Sequence, residues 1–193
     1  MLADYVKDEG IKASTFAHSS LSVRDVACVD YKGKLNIYDI ESGKSKFDVQ
    51  AHTGMGNTIH GVGGKGPDYG APELVTGGSD GCVNVWDPRQ ESPVMMLQPS
   101  QDEEIKPDCW TVKFGNAYNA EERCVIAGYD NGDVKLFDLR MNCLKWDTNL
   151  GNGVCGLEFD RVDIPMNKLV VSTLESKFHI FDLRTYHPEM KYA

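Results

Sequence analysis

The chain has 193 residues, 20 of them basic and 29 acidic, for a net charge of −9. That balance excludes a general nucleic-acid binder, which needs a basic face to displace counterions, while the length suffices for one good core. With no apolar run of about 18 residues, no secretory leader and no glycosylation acceptor, and with six cysteines (Cys28, Cys82, Cys109, Cys124, Cys143, Cys155) lacking C-x-x-C spacing, the chain reads as soluble, reduced and cytoplasmic, with no membrane partner.

Taken in order, residues 2–6 predict a short strand and residues 11–16 (IKASTF) a second, its apolar positions alternating with period two. Residues 26–29 and 35–38 form a hairpin around Lys32-Gly33, and residues 45–50 (SKFDVQ) alternate again. Ala51-His52 precedes a strand at 58–62, and residues 63–72 form a loop rich in Gly and Pro. A strong hairpin spans 74–87 (LVTGGSDGCVNVWD), followed by a strand at 94–98 and an acidic linker at 99–108. The same succession returns as strand 109–114 (CWTVKF), loop 115–122, hairpin 125–138 and strand 143–148. It returns again as strand 154–159 (VCGLEF), loop 160–168, hairpin 169–182 and a last strand at 188–193. No stretch has a convincing helical period.

The hairpins are copies of one another. VACVDYKGKLNIYD (26–39), LVTGGSDGCVNVWD (74–87), VIAGYDNGDVKLFD (125–138) and LVVSTLESKFHIFD (169–182) have 14 residues each and end in aromatic-Asp; their starts lie 48, 51 and 44 residues apart. A period near 40–45 with a terminal Trp-Asp marks the WD repeat of β-propellers. The expected fold is therefore all-β, a WD40 propeller with four four-stranded blades at 11–50, 51–98, 109–148 and 152–193. Residues 1–10 supply the outer strand of a blade that is missing. Because repeat arrays need closure or caps, four such wedges predict an open arc of a longer, seven-bladed propeller, cut at both ends.

Several motifs suggest chemistry and are better read as geometry. GGSDG (77–81) matches a hydrolase elbow, but a strand follows Ser79 where a helix is required. GVGGKG (61–66) matches a dinucleotide fingerprint, but Pro67 and Pro72 forbid the helix it needs. Asp130, Asn131 and Asp133 lack the remaining ligands of a calcium loop, and the five histidines form no zinc cluster. No nucleophile, cofactor site or small-molecule site survives, and the chain reads as no enzyme. His52, Thr76, Asp80 and Trp86 instead predict one buried structural network, since a buried indole and imidazole need partners. Asp87-Pro88-Arg89, Asp138-Leu139-Arg140 and Asp182-Leu183-Arg184 repeat a D-x-R pattern whose plain reading is a local Asp–Arg pair. Long loops between the first and second strands share a face with these turns, which nominates Tyr69, Arg89, Tyr118, Arg140 and Arg184 as protein-binding positions.

Longer strings carry a more specific signal. DCWTVKFGNAYNAEERCVIAGYDNGDVKLFDLR (108–140), NGVCGLEFD (152–160), MNKLVVSTLESKFHIFDLRTYHP (166–188) and GAPELVTGGSDGCVNVWDPRQ (70–90) closely resemble the dynein axonemal assembly factor family of WD-repeat proteins. The resemblance implies a seven-bladed propeller of which this chain is the second to fifth blades. It also implies a non-catalytic cytoplasmic scaffold that works with R2TP and prefoldin-like co-chaperones in maturing dynein heavy chains, a link to cilia, and a role in apoptosis. A rival reading takes Trp86–Arg89 as the W-D-x-R box of substrate receptors that dock on cullin-4 ubiquitin ligases.

Overall fold

A computed structural model describes residues 4–17, 23–63, 73–99, 105–187 and 191–192. Fifteen strands follow in chain order with no helix among the described residues: β1 (Ile11–Thr15), β2 (Asp25–Asp30), β3 (Lys34–Asp39), β4 (Ser45–Gln50), β5 (Gly56–Val62), β6 (Glu73–Gly78), β7 (Val83–Trp86), β8 (Met95–Leu97), β9 (Cys109–Gly115), β10 (Cys124–Tyr129), β11 (Asp133–Asp138), β12 (Cys143–Asn149), β13 (Val154–Phe159), β14 (Lys168–Thr173) and β15 (Lys177–Asp182). They pair antiparallel, each with its neighbour in sequence, into sheets β1–β4, β5–β8, β9–β12 and β13–β15. The first strands of successive sheets lie side by side, β1 on β5, β5 on β9 and β9 on β13. This is a WD40-type propeller arc of four blades.

The alternation of each strand explains the packing, because neighbours in sequence point to opposite faces. Odd positions of each hairpin face the preceding blade and even positions the following one. Between the third and fourth blades, Ile126, Val134 and Leu136 meet Val154, Leu157, Phe159, Leu169 and Val171. Between the second and third, Val75, Val83 and Val85 meet Cys109, Val112, Phe114, Val125 and Ala127. Between the first and second, Ala27, Val29, Leu35 and Ile37 meet Ile59, Leu74 and Trp86. The core is thus three interblade layers rather than one centre. Cys28, Cys109 and Cys124 are buried, and burial pushes their thiols up, Cys124 to about 12.

The eighth position of every hairpin turns in the left-handed region: Gly33 (φ 78°), Gly81 (φ 74°), Gly132 (φ 92°) and Ser176 (φ 60°). Three repeats place there the residue that accepts this conformation without a Cβ clash, and the fourth does not.

The outer strands expected at residues 2–6 and 188–193 fall partly on residues outside those described, 188–190 and 193 among them. Residues 4–7 are irregular rather than stranded, and residues 1–3 lie outside the described residues. Side chains tie this stretch to the first blade, Lys7 Nζ to Asp30 Oδ2 at 2.5 Å and Tyr5 Oη to the Ile40 carbonyl at 3.1 Å. At the other end the fourth sheet has three strands among the described residues, not four. Beyond β15, His187 is bridged to Lys191, and Tyr192 is buried edge-on against Trp146 at 5.6 Å between ring centres.

Candidate functional site

In an antiparallel blade, the first-to-second and third-to-fourth connections emerge at one end and the second-to-third turn at the other. The long loops and the D-x-R turns therefore share one face, and the blade-to-blade clefts with described linings open on it.

The second blade is locked by a directional chain of hydrogen bonds. The Trp86 indole N–H donates to Thr76 Oγ1 at 3.0 Å. That hydroxyl has one proton to give, and His52 Nε2 lies 2.8 Å away to accept it. His52 Nδ1 is then the donor to Asp80 Oδ1 at 3.0 Å, and Asp80 also accepts from the backbone N–H groups of Thr53 (2.9 Å) and Cys82 (3.1 Å). Burial raises the Asp80 carboxyl, but the His52 hydrogen bond and these backbone donors outweigh it and hold the pKa down to about 2. Gly78 backs the network, because a Cβ there would lie 2.4 Å from His52 Nδ1. All four residues are brought together, with His52, Thr76 and Trp86 buried.

The D-x-R turns divide into two kinds. Arg89 forks onto Asp87, Nε to Oδ1 at 2.9 Å and Nη2 to Oδ2 at 2.5 Å, and Arg184 forks onto Asp182 in the same way. The guanidinium is the main reason that each carboxyl sits below its ordinary range. Arg140 makes no such fork. Asp138 Oδ1 is taken by the backbone N–H groups of Arg140 (3.0 Å) and Met141 (2.9 Å), in a turn that closes on Asn142 at φ 49°. The first blade has the same turn, Asp39 Oδ1 capping Glu41 and Ser42 before Gly43 at φ 66°. A Gly or Asn four residues after the Asp is the signal that separates the two kinds.

Three concavities lined by described residues lie on the long-loop face. A cleft of about 520 Å³ between the second and third blades is lined by Glu73, Glu121, Arg123, Leu139 and Arg140. Within it, Arg123 is almost fully buried and its Nη1 donates to Glu73 Oε2 at 2.5 Å. A cleft of about 430 Å³ between the third and fourth blades is lined by Asn116, Glu122, Lys145, Asn167, Arg184 and their neighbours. A smaller pocket of about 110 Å³ lies where the loops of all four blades converge, walled by Ala17, Val62, Ala117 and Val162, with His60 and Asp163 as its polar groups. Burial, and then Lys113, push the His60 imidazole down to about 4, so the ring is neutral near pH 7. Its Nδ1 accepts from the Phe114 N–H at 3.3 Å.

Of the positions nominated from sequence, Arg140 and Arg184 line the two large clefts. Tyr118 stands beside the second, donating to Glu122 Oε2 at 2.6 Å, and that bond to a carboxylate raises its hydroxyl. Arg89 is exposed but lines none of these concavities, and Tyr69 lies outside the described residues. The W-D-x-R box presents little, since Trp86 is buried and Arg89 is held by Asp87. The Glu73–Arg123 pair and the His60 pocket were not nominated, because neither side chain belongs to a motif. An Arg directly before a fully apolar strand (Arg123 before CVIAG) was the available signal. Among the described residues, no three His, Cys, Asp or Glu side chains gather to hold a metal.

Known proteins bear on this arrangement. No protein-family model matches the chain. Its sequence is similar to proteins named dynein axonemal assembly factor 10: that of Bos taurus is 55% identical over 195 residues, covering 100% of this chain and 54% of that protein. Those of Homo sapiens (54% identical, 100% and 54% covered) and Chlamydomonas reinhardtii (51% identical, 97% and 52% covered) match likewise. The chain spans about half the length of these relatives. Among solved structures, the computationally designed Ika4 protein superposes with a TM-score of 0.65 at 18% identity, covering 92% of this chain and 93% of that one, which shows likeness of fold alone.

Proposed function

We propose that this chain is a non-catalytic scaffold in the assembly of axonemal dyneins, working in the cytoplasm and docking protein partners on its long-loop face. The similarity over the whole chain to proteins named for that assembly supports the process. The observation that carries the docking face is the pair of large interblade clefts, each holding an arginine at its mouth, Arg140 and Arg184. Arg140 has no carboxylate fork to break before it can meet an acidic partner. Arginine beside a partly apolar cleft is the anchor type that dominates protein interfaces. The partners proposed are dynein heavy chains and the R2TP and prefoldin-like co-chaperones.

The test is co-precipitation from ciliated-cell extract, read by immunoblot for dynein heavy chain. A variant carrying Tyr118→Ala, Arg140→Glu and Arg184→Glu loses the heavy chain while Lys32→Glu, on the opposite turns, keeps it. Equal recovery with both variants rejects the face. No heavy chain with the unaltered protein rejects the process.

A further inference from the structure

One concavity on the long-loop face plays no part in the docking proposed above, the pocket of about 110 Å³ that holds His60. It lies where the first-to-second connections begin. Ala17, Gly63, Ala117 and Val162 stand within three residues of the ends of β1, β5, β9 and β13, and all four line it. Val62 and Ala117 belong to the core between the second and third blades, whereas Val162 is 47% exposed and forms an outer part of the wall.

His60 sets the chemistry. Burial keeps its ring neutral near pH 7, and Nδ1 accepts from the Phe114 N–H at 3.3 Å. A neutral imidazole that accepts at Nδ1 carries its proton on Nε2, so Nε2–H is what the ring can donate to an occupant. The other polar side chain, Asp163, already accepts from Arg161 Nε at 2.9 Å. A buried water makes about three hydrogen bonds, and an apolar cavity of about 150 Å³ stays dry and takes up benzene. A space of about 110 Å³ walled by Ala17, Val62, Ala117 and Val162 therefore suits a somewhat smaller apolar group with one acceptor beside it.

We infer that this pocket receives one aliphatic side chain, Leu, Ile or Met, from an extended segment of a partner protein, with His60 Nε2–H donating to a backbone carbonyl of that segment. The Phe114 ring lies 6.0 Å from the His60 ring, centre to centre, and 5.9 Å from the Arg123 guanidinium. His60 is therefore within about 12 Å of the arginine that lines the larger cleft between the second and third blades, a gap that about four extended residues span. A segment seated in the pocket continues into that cleft, where an acidic side chain meets Arg140. A free small molecule of the pocket's size would use neither the cleft nor Arg140. The inference rests on the long-loop face being a docking surface, and it names what the partner presents there.

The experiment pans a random heptapeptide display library against the purified 193-residue chain, then measures the selected peptides, synthesised with a fluorophore, by polarisation. The expected peptides share one Leu, Ile or Met with an Asp or Glu within about four positions of it. Replacing that aliphatic residue with Ala weakens binding by about tenfold or more. Ala117→Leu, which fills the space, and Val162→Asp, which charges its wall, each abolish binding, while Lys32→Glu on the opposite turns leaves it unchanged. Val162 is half-exposed, so Val162→Asp keeps its circular dichroism even where Ala117→Leu fails to fold. A library that enriches no such peptide overturns the inference, as do peptides whose binding survives Val162→Asp. The role in dynein assembly fails on a different result, an extract from which no heavy chain is recovered although these peptides bind.

Discussion

Thr76 sits at the centre of the hydrogen-bond chain in the second blade, and replacing it with Val keeps the shape while removing the hydroxyl. The hydroxyl serves two fully buried neighbours, accepting from Trp86 at 3.0 Å and donating to His52 at 2.8 Å. Neither can reach water once it is gone. A buried polar group left unsatisfied costs about 1–3 kcal/mol, so Thr76→Val is expected to destabilise the chain by about 2–5 kcal/mol. That is a large share of the ~5–15 kcal/mol that holds a domain together. The assay is urea unfolding at fixed protein concentration. In a Trp86→Phe background, the indole donor is already absent, so the same substitution should cost less, by roughly 1 kcal/mol or more. A loss below about 1 kcal/mol in the unaltered background, or equal losses in both, would refute the view that the hydroxyl couples the ring systems.

Four further outcomes follow from the same geometry. Asp80 is held to about 2 from an ordinary 3.8, so its contribution is fully present above 3.8 and disappears as pH falls toward 2; the stability gap between the unaltered chain and Asp80→Asn should narrow over that window, and a constant gap would contradict the assignment. Glu73→Ala removes a carboxylate partner of the buried Arg123 guanidinium and should cost about 1–3 kcal/mol by urea unfolding, whereas the exposed Lys34–Asp48 pair should give no measurable loss on Asp48→Ala. Ser176→Gly relieves a left-handed φ and should stabilise by up to about 1 kcal/mol. The reverse change at Gly132 (Gly132→Ala) should destabilise, since its Cβ would also lie 2.9 Å from the Asn152 backbone nitrogen.

The repeating part of this fold was legible because two periods are superposed, a period of two that assigns each side chain to a face and a long period that stacks the faces. The four-residue network was legible for a related reason: a buried indole and imidazole oblige the chain to supply partners, and Thr76 and Asp80 were the polar residues at the right places. The ends were not legible. Residues 4–7 are tied to the first blade through Lys7 and Asp30, and Tyr192 packs on Trp146, contacts between residues distant in sequence that no local pattern announces. Arg140 shows the same limit within a motif. Its D-x-R spacing equals that of Arg89 and Arg184, yet its turn closes on Asn142 and brings a second backbone donor, Met141 N–H, onto Asp138 Oδ1. The Glu73–Arg123 pair joins two blades 50 residues apart, and no local pattern announces it.

The claim that the long-loop face is the working surface is tested most directly by where a partner touches the chain. A photo-crosslinking residue placed at Arg140 or Arg184, or at Lys32 or Asn131 on the opposite turns, would be irradiated in ciliated-cell extract, with the adducts identified by mass. The account predicts adducts to dynein heavy chain or co-chaperone from Arg140 and Arg184 and none from Lys32 or Asn131; adducts from Lys32 and Asn131 alone would contradict it.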